Sequence, residues 1–360
     1  MSSEFGKNLR VSVFGESHGP GIGVVVNGFP AGETVDMDRL LFFMSRRAPG
    51  NSRLTTSRKE ADLPEFISGI RDNVLTGSPF AAVIRNTNQR SGDYRGFDDT
   101  PRPSHADYTA AVKWHGAADM RGGGHFSGRL TAPLCAAGNI AIQILARKGI
   151  WIGAHLSNIG GVEDVRFPVQ PDEELLDMLN AMMFPVIDGE KGIMMQQIIQ
   201  QAAGEGDSVG GAVECTAVGL PAGLGSPMFE GVESMLSAAL FGIPGVKGVS
   251  FGSGFDCVSM SGSAHNDPFI IEDGAVRTET NNSGGIQGGI TNGMPLIVQV
   301  AMKPTASIAK AQKTISLSQM KETEIEIHGR HDPCIAIRAV PVIEAVTALV
   351  LLDLLIGGQA

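Results

Sequence analysis

His18 stands in the stretch GESHG that begins at Gly15, directly after the apolar run 11–14. A strand ending there aims Glu16, Ser17 and His18 into a loop, and the glycines up to Gly23 leave its backbone open to a ligand. A histidine so placed is a candidate proton donor near neutral pH, although most histidines in polar loops are merely solvated. His105 lies in a similar polar setting. A third cluster, GRHDPC from Gly329, sets Asp332 beside Arg330 and His331, where a carboxylate can orient a base or accept a proton; an ordinary Arg/Asp pair at a proline turn gives the same pattern.

Arginines gather around these groups. SRRAPGNSRLTTSR begins at Ser45 and RGGGHFSGR at Arg121. Guanidinium forks hold phosphates and carboxylates bidentately, and glycine- and serine-containing loops let several converge on one anion. Arg46 is read as a solvated residue complementing a helix C-terminus, whereas Arg53 lies beyond that helix and is read as a ligand for an anion. Three glycines leading into a helix N-terminus offer free N–H groups and a positive dipole end, which suits a phosphate or the edge of a flavin ring. The run is neither a Walker loop nor GxGxxG. KPTASI, at residues 303–308, offers Lys303, Thr305 and Ser307 to a polar ligand or simply ends a strand.

Composition narrows the partners. The 360 residues carry 28 Lys and Arg against 38 Asp and Glu, a net charge of −10, so the local arginines suit a small anion and nucleic acid is not expected. The four cysteines form no CxxC or Cys/His ligand spacing, which argues against a zinc site and for a reducing compartment. The N-terminus lacks a signal-peptide pattern. The longest apolar run, 346–356, contains Asp353 and is too short to span a bilayer. A cytoplasmic protein with no membrane partner is expected, with that run inside a buried helix that starts after Pro341 and ends at Gly357 and Gly358.

The elements that must position these groups come in runs of helices and runs of strands, which favours α+β layering over a doubly wound parallel sheet. Strands are expected near 66–70, 80–84, 151–156, 249–255, 296–302 and 324–328, and helices over 105–114, 130–148, 173–183 and 191–203. The 130–148 helix is apolar on nearly every face and so is buried on more than one side. VVVNGFPAG from Val24 is echoed by CTAVGLPAG from Cys215, each preceding a helix, near Asp36 with Asp36 as N-cap and near Ser226 with Ser226 as N-cap. The echo suggests duplicated strand-turn-helix units near 11–50 and 205–245 within one domain spanning 1–360. The glycine-rich stretches 47–58 and 259–292 are read as functional loops.

Taken in order, GESHG, RRAPGNSR from Arg46, RPSHADYT from Arg102, RGGG from Arg121, GGIQGGI from Gly284, KPT from Lys303 and GRHDPC resemble chorismate synthase over essentially the whole chain. The resemblance implies a layered β-α-β sandwich with internal pseudo-symmetry and a homotetramer. The implied reaction is anti-1,4-elimination of phosphate from 5-enolpyruvylshikimate 3-phosphate to give chorismate, in the shikimate pathway of aromatic amino acid biosynthesis, with reduced FMN as cofactor.

By the same resemblance, His18 protonates the departing phosphate, His105 donates to the reduced flavin near N1, and Asp332 helps flavin N5 take up the ring proton. Ser17, Arg47, Arg53, Ser127, Arg129 and Arg330 hold the substrate. FMN contacts fall on His125, Phe126, Ser127, Gly288, Lys303, Pro304, Thr305, Ala306, Ser307 and Arg330. NADP is associated with reducing the family's flavin. The chain shows no second nucleotide-binding module, so an external flavin reductase or reduced-flavin supply is implied. Two departures stand out. Where many relatives read RGGGRSSARETA this chain has His125 and Phe126, and where relatives often have Asn-Ala before VKG it has Pro244 and Gly245, which are left out of the expected set. A silent flavin-binding scaffold lacks reason to keep His18, His105, Asp332 and the arginines together. A phosphotransferase needs a nucleotide loop and metal carboxylates that are not evident.

Overall fold

A computed structural model of the chain describes residues 3–50, 54–56, 60–88, 96–327, 329 and 331–358. Alternating apolar positions build two five-stranded sheets in which every ladder is antiparallel. The first contains β1 (Glu4–Phe5), β2 (Arg10–Gly15), β3 (Gly21–Asn27) and β4 (Glu65–Ser68). After a small ribbon of β5 (Ile70–Arg71) and β6 (Val74–Leu75) the chain adds β7 (Phe80–Arg85), giving the order β1-β2-β3-β7-β4. The second sheet contains β8 (Trp151–Ile159), β9 (Val162–Glu163), β10 (Gly211–Val218) and β11 (Val246–Phe251). Two hairpins follow, β12 (Phe269–Glu272) with β13 (Ala275–Thr278) and β14 (Ile286–Gln287) with β15 (Ile290–Thr291). Then β16 (Leu296–Met302) completes the order β11-β16-β10-β8-β9, and β17 (Gln312–Ser316) pairs with β18 (Lys321–Ile325) outside it.

Helices lie both between the sheets and outside them. They are α1 (Met37–Arg47), α2 (Asp107–Trp114), α3 (Thr131–Ala146), α4 (Glu173–Asn180), α5 (Gly189–Gly204), α6 (Val232–Leu240), the one-turn α7 (Gly262–His265) and α8 (Ala336–Gly357). α3 packs on β3 and β7, α8 packs on β8 and β10, and the two helices pack on each other. Gly138 permits that approach, because a Cβ there would stand 2.3 Å from the Cβ of Ala345. α3 is buried from Thr131 to Leu145, which is why its sequence shows no polar face.

Several expectations are corrected. α8 does not start after Pro341 but runs through it from Ala336. A proline inside a helix costs about 3 kcal/mol. The buried side chains of Ala336, Ile337, Ala339 and Val340 offset this through their packing. α8 is also long and apolar enough to cross a membrane by length and composition, as is Gly128–Ala146, but both are buried in this core. Ser226 does not cap a helix; a turn at Met228–Glu230 intervenes, and α6 starts after Gly231 without a side-chain cap. Asp36 does cap α1, its carboxylate accepting from Arg39 N at 3.0 Å. Arg46 is not a solvated terminus: it is buried and bonded bidentately to Glu344 of α8 at 2.7 and 2.9 Å.

Candidate active site

The chain's chemistry-bearing loops meet at one end of the helical layer. The turn between β2 and β3 carries Ser17 and His18, the RGGG turn leads into α3, the KPTAS segment leaves β16, and residues 331–335 lead into α8. Between them lies a cavity of about 260 Å³, and Thr131 and Ile335 at the starts of α3 and α8 both line it. Two helix N-termini on one cavity favour an anion there.

Its polar wall is an arginine-carboxylate lattice. Arg47 donates to Asp62 at 2.5 Å, to Gly128 O at 2.7 Å and to Thr131 Oγ1 at 3.2 Å. Arg129 reaches the other oxygen of Asp62 at 2.5 Å, Asn86 Oδ1 at 2.6 Å and Glu60 at 3.0 Å. Burial lowers the Arg47 guanidinium to about 10, with Asp62 opposing the shift, so it remains charged at neutral pH. Burial works to raise the Asp62 carboxyl, yet Arg47 and Arg129 outweigh it and hold it below its usual range.

Arg338 donates to Arg47 O at 2.9 Å and so joins this lattice to Asp332, which accepts from Arg338 at 2.6 Å and from Thr56 N at 2.9 Å, leaving its carboxylate beside the cavity as an acceptor. Thr305 donates its hydroxyl to Asp332 O at 2.7 Å, tying the KPTAS segment to this wall. Lys303 donates to Ser104 O, and burial, with Lys247 nearby, lowers its ammonium. Ser307 Oγ is taken by Arg102 at 3.2 Å.

His18 and Ser17 sit behind the RGGG turn at 5% and 1% exposure. A Cβ at Gly122 would fall 2.5 Å from His18 Nε2 and 2.9 Å from Ser17 Oγ, so only glycine lets the turn close over them. Gly122 itself lines the cavity, and His18 meets it only past that residue. Ser17 Oγ is buried with no hydrogen-bond partner among the described residues, the mark of a group kept for a ligand. His105 lines the cavity directly.

A second cavity of about 570 Å³ adjoins the first. It is lined among others by Phe5, Val13, Leu134 and Phe241 and, among the described residues, by no arginine, and the two share His105, Phe126, Thr131, Lys303 and residues 243–245. Phe126 packs its ring 5.4 Å from Trp114. His125 bonds Gly15 O at 2.8 Å and Ser3 Oγ at 2.7 Å, so it ties the end of β2 to the N-terminal segment.

The structure thus brings Arg47, Ser127, Arg129, His105, Asp332 and residues 303–307 onto one cavity. His125 lines only the second cavity, and Gly288 lines neither, sitting in the turn between β14 and β15, where its neighbour Gly289 packs on the 225–231 segment. Arg53 and Arg330 lie outside the described residues. Sequence reading missed Glu60, Asp62, Asn86 and Pro244 with Gly245. It also missed Asp107, although that residue stands two positions after His105 in a motif already singled out. Among the described residues no group of three acidic, histidine or cysteine side chains could hold a metal.

Known proteins match this arrangement over its whole length. The family model for chorismate synthase matches residues 9–356. A chorismate synthase of Pyrococcus abyssi is 47% identical, covering 97% of this chain and 96% of that protein. One of Lancefieldella parvula is 43% identical over 99% and 96% of the two. A crystal structure titled as chorismate synthase superposes with a TM-score of 0.77 at 27% identity, covering 98% of this chain and 93% of that one. By the family model across residues 9–356 and by relatives 43% and 47% identical over nearly the whole chain, the chain belongs to the chorismate synthase family.

Proposed function

We propose that the two adjoining cavities divide the work of the family's reaction, the smaller holding the phosphorylated substrate and the larger admitting the flavin. The chain is a carbon-oxygen lyase that converts 5-enolpyruvylshikimate 3-phosphate to chorismate in the shikimate pathway. The observation that carries the division is the contrast between the walls: among the described residues, Arg47, Arg102, Arg129 and Arg338 line one cavity and no arginine lines the other.

The family uses reduced FMN. The residues present fit such a group: the larger cavity is lined by Phe5, Val13, Phe126, Leu134 and Phe241, side chains that accept a flat ring. Phe126, Lys303, Thr305 and residues 243–245 would hold it. Reduced FMN, when bound, supplies the electron density that assists departure of phosphate. Ser307 Oγ is engaged with Arg102 and would act through that residue. Gly288 would act only if it reached a flavin outside this chain's own cavities.

Arg47 and Arg129 would grip the substrate's anionic groups at the edge of their lattice with Asp62. His18 would give a proton to the leaving phosphate oxygen past Gly122, with Ser17 Oγ donating beside it. Asp332, held by Arg338, would accept a proton at the cavity wall. A cytoplasmic location is supported by four cysteines that are all free.

The chain is read as one domain built by duplication. Gly28 and Gly219 support this, standing at equivalent points of the echoed motif. Both have positive φ, and a Cβ at either would fall within 2.1 Å of a carbonyl preceding the neighbouring strand. A homotetramer is supported by uncovered apolar side chains on the β12–β13 hairpin, where Phe269 and Ile271 are 66% and 74% exposed. Light scattering should give the mass of four chains, and a monomer would end that reading.

Anaerobic phosphate release from 5-enolpyruvylshikimate 3-phosphate tests the activity, with FMN either oxidised or chemically reduced. Phosphate and chorismate are expected only with reduced flavin. Binding of both ligands without release in either sample would point to a silent relative.

A further inference from the structure

His105 meets the cavity with one edge of its ring and a buried ion pair with the other. Nδ1 lies 2.7 Å from Asp107 Oδ1. Arg102 grips the same carboxylate, Nε on Oδ2 and Nη2 on Oδ1, both at 2.7 Å, and its backbone N adds a 3.0 Å bond to Oδ2. The Arg102 guanidinium is fixed in turn by Ser307 Oγ at 3.2 Å and by the Phe97 ring 4.8 Å away. Both side chains of the pair are almost completely buried, whereas the His105 side chain is 19% exposed.

This geometry decides where the ring hydrogen sits. Burial opposes ionisation of Asp107, but hydrogen bonds from Arg102 and His105 outweigh it and hold the carboxyl well below its ordinary range. An ionised carboxylate only accepts, so the 2.7 Å contact requires a hydrogen on Nδ1. Arg102 Nη2 also lies 3.0 Å from Nδ1, but donating there would need a lone pair on Nδ1 facing Oδ1, which is repulsive. The Nε2 edge abuts Gly123, where an added Cβ would stand 3.3 Å away. Asp107 and Arg102 cancel in net charge, so they fix the direction of the ring without fixing its charge. The same cavity is lined from the other elements by Lys303 at the end of β16, by Arg47 and Arg129 with Glu60, and by Asp332 with Arg338 and His331.

We propose that Asp107, braced by Arg102, is a positioning residue for His105: it keeps the ring hydrogen on Nδ1 and presents Nε2 alone to the cavity as the atom that gives or takes the working proton. The inference rests on the reading of His105 as the proton donor at the cavity wall. It also gives Ser307 a different part from direct ligand contact, since its hydroxyl steadies Arg102.

The test uses ¹⁵N-histidine-labelled, flavin-free protein, with His105 assigned by its loss in His105→Gln. The neutral ring should carry its hydrogen on Nδ1; the Nε2–H tautomer in wild type would overturn the proposal. This readout needs no variant at Asp107 and no activity. Asp107→Asn should abolish the single tautomer and lower kcat by roughly tenfold to a hundredfold, leaving the KM for 5-enolpyruvylshikimate 3-phosphate within about twofold. In a His105→Ala background, Asp107→Asn should add no further loss of kcat, and an additive loss would assign Asp107 a role apart from His105. Unchanged turnover in His105→Ala with an Nδ1–H ring in wild type would instead remove the donor reading of His105 while leaving the Asp107 arrangement intact.

Discussion

Arg47 and Arg129 share Asp62 but do not share its consequences when removed. Arg47 is wholly buried and also holds Gly128 O and Thr131, so Arg47→Ala leaves Asp62 with Arg129 alone, takes a donor from Gly128 O and empties its surroundings. We expect a loss of about 1–3 kcal/mol in unfolding free energy. Arg129→Ala leaves Asp62 paired with Arg47, so its main effect should be on ligand binding. One charge-assisted hydrogen bond contributes about 1.5–3 kcal/mol, so the KM should rise roughly tenfold or more. Urea unfolding and steady-state kinetics on both variants separate the two roles, and an unchanged KM in Arg129→Ala would take that residue out of the anion site. His18, His105, Asp332 and Arg47 stood out in the sequence as candidates because polar side chains gathered in short loop-like motifs. Asp62 did not, since its value lies in joining Arg47 to a residue 67 positions away.

At the scale of elements, the crossing of α3 and α8 aligns the starts of both helices with the cavity. Gly138 against Ala345 sets that distance. Gly138→Ala would gain helix propensity in an isolated peptide but forces backbone and side chain of α8 outward here. The net expectation is a loss of about 1–3 kcal/mol in stability, read from the denaturation midpoint. A stabilised variant would mean that the helices can separate at no cost. The apolar pattern of α3 revealed its burial from sequence, but the start of α8 was misplaced because local propensity penalises Pro341 and cannot count the buried side chains of the preceding turn. Strand β16 was placed to the residue, its apolar run from Leu296 to Met302 being interrupted only by Gln299.

For the molecule as a whole, stability is tied to a charge buried far from the cavity. His155 on β8 is completely buried, with Asp164 Oδ2 at 2.8 Å from one ring nitrogen and Glu214 Oε2 at 3.0 Å from the other. Burial disfavours its charged form, but both carboxylates outweigh burial and raise the imidazole above its ordinary value of 6.5. His155 therefore binds its proton more tightly folded than unfolded. Its stabilisation is complete below that ordinary value and is lost as pH climbs through the raised one. Between about pH 6 and pH 9 the wild-type urea midpoint should fall more than that of His155→Gln; parallel curves would show that the network carries no proton-linked stability.

By itself the sequence determined the family, the α+β class, the burial of α3 and the identity of the loops that carry chemistry, because turn glycines, charged side chains and apolar periodicity are local properties. Only the tertiary structure decided that Arg46 belongs to Glu344, that Asp62 joins two arginines, that His125 anchors β2 and that Asp107 orients His105. It also decided that Gly288 lies off both cavities of its own chain. Each is a matter of which distant groups meet when the two sheets close on the helices, and a hydrogen bond or ion pair leaves no trace in sequence until both partners are in place.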